Sequence, residues 1–218
     1  MGRYAVIGLG KFGTAVARAL EELGHEVIAI ERDEELVDRL ADCASRVVAG
    51  DATDPAVLRA AGASDVDAAI LSTSENLAST ILATVALRDL GVKSIYVKAG
   101  SDTEARALEA LGVTLVVIPE QEAGVRLAHR VALRAVRSYL PIAAGHCAVE
   151  TEVPRSWRGK SLRELNPREK WNVSVIAVLG ADPQKVALPP DPDAPLAESD
   201  SILIAGSEEA VAQFQEKA

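Results

Sequence analysis

The feature that most constrains this chain is residues 4–33, YAVIGLGKFGTAVARALEELGHEVIAIERD. A short apolar run, Ala5, Val6 and Ile7, meets Gly8, Gly10 and Gly13, an amphipathic pattern follows, and a second apolar run, Val27 to Ile30, ends at the acidic Glu31. Strand, glycine turn, helix, strand and carboxylate in that order are the parts of a dinucleotide-binding βαβ unit. The first glycine permits the tight turn, the second lets a pyrophosphate approach the backbone, and the third lets the helix pack closely on its strand. Phosphates would then sit on the helix N-terminus, whose free N–H groups and dipole favour anions. A glycine-rich turn also arises for packing alone, which leaves two readings: a nucleotide site, or a lobe of this type without a ligand.

The alternation continues downstream. Phe12, Ala15, Val16, Ala19, Leu20 and Leu23 fall at helical spacing before Gly24, and that stripe is expected to pack on the sheet. Arg46 to Ala49 reads as a third strand and Asp54-Pro55 as the cap and first residue of a helix. Ala68 to Leu71 reads as a fourth strand, and Ser72, Thr73, Ser74, Glu75 and Asn76 lead into a helix ending near Leu90. Ser94 to Val97 and Val113 to Ile118 are the fifth and sixth strands, with a helix over Thr103 to Leu111 between them. Six strands alternating with helices predict an α/β fold, a doubly wound parallel Rossmann-type sheet with right-handed crossovers.

A helix of roughly four to five turns is then expected to reach Tyr139, with Val125, Ala128, Val131, Ala132, Ala135 and Val136 as its stripe and Pro141 as its stop. After Ala143 to Gly145 the pattern changes to period two, Val149, Thr151 and Val153 alternating with Glu150 and Glu152. A short helix at Ser161 to Leu165, a strand at Val173 to Leu179, a last strand at Ser201 to Ala205 and a closing helix complete a smaller α+β lobe. The expected organisation is a nucleotide-binding lobe over residues 1–118, a crossover or dimerisation helix and linker over 119–145, and a C-terminal lobe over 146–218.

Charge and cysteine usage exclude several classes. A net charge of -9 without a Lys/Arg cluster argues against a nucleic-acid partner, which requires a basic surface. Cys43 and Cys147 are far apart and form no CxxC pair, so neither a disulfide framework nor a zinc site is indicated. The chain enters a strand at once rather than a leader, and no apolar run approaches ~18 residues. The expectation is a soluble, cytoplasmic protein whose membrane role, if any, acts through a partner.

Within the lobe, individual residues carry specific expectations. Glu31 is placed to accept hydrogen bonds from both ribose hydroxyls and to repel a 2′-phosphate, a repulsion that Arg32 either softens or leaves while lying over the adenine. Lys11 puts a positive charge at the positive end of a helix, at a cost of a few tenths of a kcal/mol (~0.3) that a phosphate would remove; otherwise its stem lies solvated across Phe12. Asp51, with Ala52 and Thr53, sits at a strand's carboxyl end and serves either an adenine amino group or a turn. Ser72, Thr73 and Asn76 face phosphates or ribose, or cap the next helix; Asp33 is read as a cap, and Lys98 is a second cation at the binding edge.

Taken together, GLGKFG, EVIAIERD, GDATD, SIYVKA, VIPEQEAGVRLAHRV, WRGKSLRELN and DSILIAGSEE resemble the regulatory RCK proteins of bacterial Ktr/Trk potassium uptake systems, over essentially the whole chain. A single RCK unit of this length is similar to the single-unit Ktr form rather than the tandem Trk form. The resemblance implies a cytoplasmic gating subunit that forms homodimers and an octameric ring on a membrane potassium-translocating subunit. It implies ATP or ADP, and also NAD or NADH, in the N-lobe, with Gly8, Gly10 and Gly13 on the phosphates and Glu31 on the ribose. Lys11 stands where the family commonly has an Arg reaching terminal phosphates, and lacks that residue's bidentate geometry. Lys98 matches a further phosphate-side cation, and Glu120 a carboxylate that holds a divalent cation at the dimer interface. Some relatives bind cyclic di-AMP in the C-terminal lobe; no residue of this chain is carried over for it.

Two other classes compete. An NAD-dependent oxidoreductase needs an acid/base against the nicotinamide, and the three histidines, His25, His129 and His146, all fall away from the crevice; no Tyr-x-x-x-Lys pair occurs. No catalytic residue is therefore expected. A redox-sensing DNA repressor would require a helix-turn-helix segment and basic charge.

Overall fold

The computed structural model describes residues 1–73, 77–132, 136–182 and 185–217. Asn76, with Ser74 and Glu75, and Ala135 on the expected helix stripe lie outside the described residues. The chain divides into two compact units, residues 1–121 and 122–218.

The first unit holds strands β1 (Arg3–Ile7), β2 (Glu26–Glu31), β3 (Arg46–Ala49), β4 (Ala68–Leu71), β5 (Ser94–Lys98) and β6 (Leu115–Val117). They form one parallel sheet in the order β3-β2-β1-β4-β5-β6, the doubly wound arrangement that the alternation predicts. Helices α1 (Lys11–Glu22), α2 (Glu34–Arg39), α3 (Pro55–Ala61), α4 (Leu77–Asp89) and α5 (Asp102–Ala110) connect them. Strand order reverses between β1 and β4, so the carboxyl ends of these two strands open the crevice where such sheets take ligands.

Local signals act as their chemistry dictates. Asp33 caps α2 by accepting from the N–H groups of Glu35 (2.9 Å) and Leu36 (3.4 Å), and Asp54 accepts from Ala56 N–H at 2.8 Å with Pro55 opening α3. The face of α1 differs from the expected stripe. Gly13 and Ala17 are buried, with Val16 and Leu20 packed beside them, whereas Ala15 and Ala19 are exposed and Leu23 is 72% exposed. The true stripe is i, i+3, i+4, i+7 from Gly13, because a glycine lets the helix approach the sheet there and thereby sets its rotation.

Helix α6 (Pro119–Ala132) ends short of the expected Tyr139. Residues Val136–Ala143 are instead strand β7, the edge of an antiparallel sheet ordered β10-β9-β11-β8-β7. Its other strands are β8 (His146–Glu152), β9 (Ser174–Leu179), β10 (Val186–Ala187) and β11 (Ser201–Ser207). The error has a physical cause. A register shift between Val136 and Ser138 changes the phase of β7, so Val136 and Tyr139, three residues apart, both turn inward and imitate helical spacing. Pro141 is tolerated because it lies on an edge strand.

The second unit buries Cys147, Val149, Thr151 and Val153 on one face, as period two requires. Helices α7 (Leu162–Leu165), α8 (Pro167–Trp171) and α9 (Glu208–Lys217) cover this unit, and Trp157 and Trp171 meet Phe214 edge-on at 5.0 and 5.9 Å. Among the described residues no helix is long and apolar enough to cross a membrane.

Candidate nucleotide-binding site

The site begins with the glycine turn. Gly8 adopts φ +89, a left-handed conformation that only glycine takes without strain, and a Cβ on Gly13 would come within 1.9 Å of the Gly8 carbonyl oxygen. Gly10 differs from both. It has ordinary extended backbone (φ −64, ψ −175) and nothing within 4 Å of the position its Cβ would take. The space beside Gly10 is therefore open toward the crevice, as a backbone approached by a ligand must be. Gly10 also stands at the N-cap of α1, where no side chain accepts from the first-turn N–H groups and no acidic residue follows. A helix start of this kind offers its donors and positive end to an anion.

A cavity of about 760 Å³ opens over this turn, within the range of small-ligand sites. Gly8, Gly10, Glu31, Arg32, Asp51, Ala52, Thr53, Ser72 and Thr73 line it together. Of the other candidates, Lys11 is exposed, Phe12 half-buried and Gly13 buried beneath Gly8, and neither they nor Lys98 line the cavity. Lys98 Nζ instead lies 2.8 Å from Glu120 Oε1. This hydrogen bond holds the Glu120 carboxyl below the usual carboxylate range.

Glu31 is engaged with the backbone. Its Oε2 accepts from Leu9 N–H at 2.6 Å, and its Oε1 accepts from the N–H groups of Arg32 (2.8 Å) and Asp33 (3.1 Å). Asp51 is held by the Thr53 N–H (2.9 Å) and hydroxyl (2.8 Å), which lower its pKa together with the charge of Arg32. The turn reading of Asp51 is thus realised in the geometry, and Asp51 also lines the cavity. Thr73 Oγ1 and Thr80 Oγ1 are 2.8 Å apart, which ties the wall after β4 to α4.

Sequence reasoning missed the far wall. Ser79, Leu82 and Ala83 of α4 line the cavity, as does Leu36 of α2. The signal was present at i, i+3 and i+4, with Leu82 57% exposed on a face that the apolar count alone assigns to packing. None of the described lining residues is His, Cys, Tyr or Lys. His25 accepts from Gly2 N–H through Nδ1 (3.1 Å), at the opposite end of the strands, and His129 stacks on Tyr139 in the second unit.

These features fit an adenine nucleotide: open N–H donors and a bare Gly10 for phosphates, carboxylates for hydroxyls and amino groups, apolar walls for a base. They do not fit a resident metal within one chain. Among the described residues no group of three or more His, Cys, Asp or Glu could hold an ion, and Glu120 is paired with a cation.

Comparison with known proteins bears on the whole chain. The TrkA-N domain model matches residues 4–119 and the TrkA-C domain model residues 148–218. Ktr system potassium uptake protein C of Bacillus subtilis is 33% identical over 98% of this chain and 96% of its own length. Protein A of the same system is 29% identical over 98% of this chain and 95% of its own length. Among solved structures, the GsuK RCK domain superposes with a TM-score of 0.66 at 18% identity, over 99% of this chain and 47% of that one. The GsuK channel bound to NAD gives 0.53 at 25% identity, over 99% of this chain and 38% of that one. With both domain models matched in chain order and the Ktr relatives matched end to end, the chain belongs to the family of Ktr/Trk potassium uptake proteins, a TrkA-N domain followed by a TrkA-C domain.

Proposed function

We propose that this protein is a nucleotide-sensing gating subunit: its first unit binds an adenine nucleotide, and the ligand state is passed to a membrane potassium-translocating subunit on the cytoplasmic face. The observation that carries the reading is the bare Gly10 at an uncapped helix start, open to a cavity of about 760 Å³ with Glu31 and Asp51 on its wall. ATP and ADP are the leading ligands. NAD or NADH is a further one, supported by the likeness to the NAD-bound GsuK channel.

The phosphates take the N–H groups at the start of α1, the ribose takes Glu31, and the base lies near Arg32, Asp51, Ala52 and Thr53. Arg32 is a cation on the cavity wall of one chain, whereas Lys11 and Lys98 do not line it, so the two lysines reach terminal phosphates only across a short distance or from a second copy. Assembly as homodimers and an octameric ring supplies that second copy. The exposed Val125, Leu127 and Val131 of α6 are the apolar surface available for it. A divalent cation at Glu120 would have to displace Lys98 and draw its other oxygen ligands from the partner.

Sensing then follows from differential contact: a ligand that reaches Lys11 and Lys98 stabilises one ring shape over another, and one that does not leaves the balance unchanged. Mass spectrometry of the denatured, purified protein should release an adenine nucleotide. Calorimetry should give different affinities for ATP and ADP, and small-angle scattering different ring dimensions with each. Equal affinities and identical dimensions would end the gating reading. Tightly held NAD with turnover of an alcohol or acid would replace it by an enzyme.

A further inference from the structure

We infer that Glu31 is a positioning residue for the phosphate subsite: its carboxylate holds the glycine turn in the shape that receives phosphates, in addition to any contact with ribose. The inference rests on the proposed nucleotide site and concerns how that site is built. The observation is the bond from Leu9 N–H to Glu31 Oε2 at 2.6 Å, which links the turn after β1 directly to the end of β2. Leu9 lies between Gly8, at φ +89, and Gly10, the N-cap of α1, so its peptide orientation fixes the direction in which both glycines point.

Every other handle on Leu9 is also fixed. Its carbonyl accepts from the Thr14 hydroxyl at 2.9 Å, and its side chain, 2% exposed, packs with Val6, Ala17, Val27, Ala29 and Cys43. Gly8 N–H donates to Ile30 O at 2.8 Å, one residue before Glu31. The turn is thus pre-organised before a ligand arrives, and the Glu31 bond is a charge-assisted tie on it.

A second consequence concerns the ribose. A carboxylate offers roughly four acceptor sites, and three N–H groups already occupy Glu31. About one site remains, at Oε2. Glu31 in this geometry takes one ribose hydroxyl rather than two, and a second would be gained only by releasing one of the three N–H groups.

The test separates the turn from the ribose with ligands that lack ribose hydroxyls. In the full chain, Glu31→Gln removes one arm of the tie, since an amide cannot accept at both ends, and Glu31→Asp is one methylene too short to span both. Either variant should weaken 2′,3′-dideoxy-ADP by about tenfold or more, in line with the loss of a hydrogen bond to a charged group, and leave 2′,3′-dideoxyadenosine unchanged. Hydrogen exchange at the segment containing Leu9, without nucleotide, should quicken by about tenfold or more in the same variants. Unchanged dideoxy-ADP affinity with weakened ADP would make Glu31 a ribose acceptor only and overturn the inference. Should the wild-type chain bind no adenine nucleotide, the proposed function falls, while the exchange measurement still decides whether Glu31 holds the turn.

Discussion

Lys98 Nζ and Glu120 Oε1 lie 2.8 Å apart, so the cation expected at the phosphates and the carboxylate expected at a metal neutralise each other within one chain. The pair ties the carboxyl end of β5 to the first turn of α6, and Lys98 also pairs in register with Val117 of β6. Glu120 is 69% exposed against 18% for Lys98, which makes the glutamate the partner that solvent or a ligand can displace. An anion arriving at Lys98 competes with Glu120, and removal of Glu120 should help it.

Glu120→Gln is therefore expected to strengthen ATP binding, and Lys98→Gln to weaken it, as read by calorimetry at fixed ionic strength. The stability effect of either change should be small, because exposed pairs contribute little. The pH dependence has a definite sign. The Glu120 carboxyl titrates below its usual range because of Lys98, so the pair's contribution is present above the unfolded-state pKa and is lost as pH falls through the lower folded value. ATP affinity that is unchanged in Glu120→Gln would show that Lys98 does not serve the phosphates.

Gly10, at the N-cap of α1, and Gly13, within its first turn, should respond differently to the same substitution. Gly10→Ala meets no atom within 4 Å and keeps an allowed backbone, so folding stability should stay within about 1 kcal/mol while nucleotide binding is abolished. Gly13→Ala forces a Cβ to 1.9 Å from the Gly8 carbonyl and should destabilise by about 1–3 kcal/mol as α1 moves off the sheet. Denaturant unfolding and calorimetry on both variants decide it. Unchanged affinity in Gly10→Ala would remove the turn from the site.

What the sequence made legible was whatever rests on local chemistry. The alternation of strands with helices, the caps at Asp33 and Asp54 and the glycine turn are each set by residues within a few positions of one another. Elements whose register depends on distant partners were harder to read. Strand β7 looked helical because its bulge is set by pairing with β8, and the phase of α1 was misjudged because Gly13, an apolar-neutral residue, faces the sheet. At the cavity, Glu31 and Asp51 were legible by position and the Asp51 turn was one of its two readings, but the bond from Leu9 to Glu31 was not, since the two lie 22 residues apart. Ser79, Leu82 and Ala83 were missed because nothing in a helix's own periodicity tells a cavity wall from a packed face.

Tyr139 should titrate well above an ordinary phenol. Burial, and then its hydrogen bond to Glu208 Oε1 at 3.0 Å, push it up to about 12. A raised tyrosine pKa means that the folded state holds the proton more tightly. The associated stability is fully present below the unfolded value near ~10 and is lost as pH rises through the folded value of about 12. Ultraviolet titration should resolve one late phenol, absent in Tyr139→Phe. That variant should lose about 1 kcal/mol of stability at neutral pH. A titration curve that is unchanged at its alkaline end in Tyr139→Phe would contradict the buried placement.

Discrimination against a 2′-phosphate tests the charge of the cavity wall. Glu31, Asp33, Glu34 and Asp51 line it against Arg32. Three backbone N–H groups hold the Glu31 carboxylate in place where a ribose would lie. NADP should bind more weakly than NAD by about tenfold or more, since like charges in contact cost several kcal/mol before Arg32 offsets part of it. The preference should shrink in Glu31→Gln, and it should shrink further with rising salt, because this part of the wall is partly open to solvent. Equal affinities for the two dinucleotides in the wild type at low salt would mean that Arg32 has turned to the 2′ position and that Glu31 serves the turn alone.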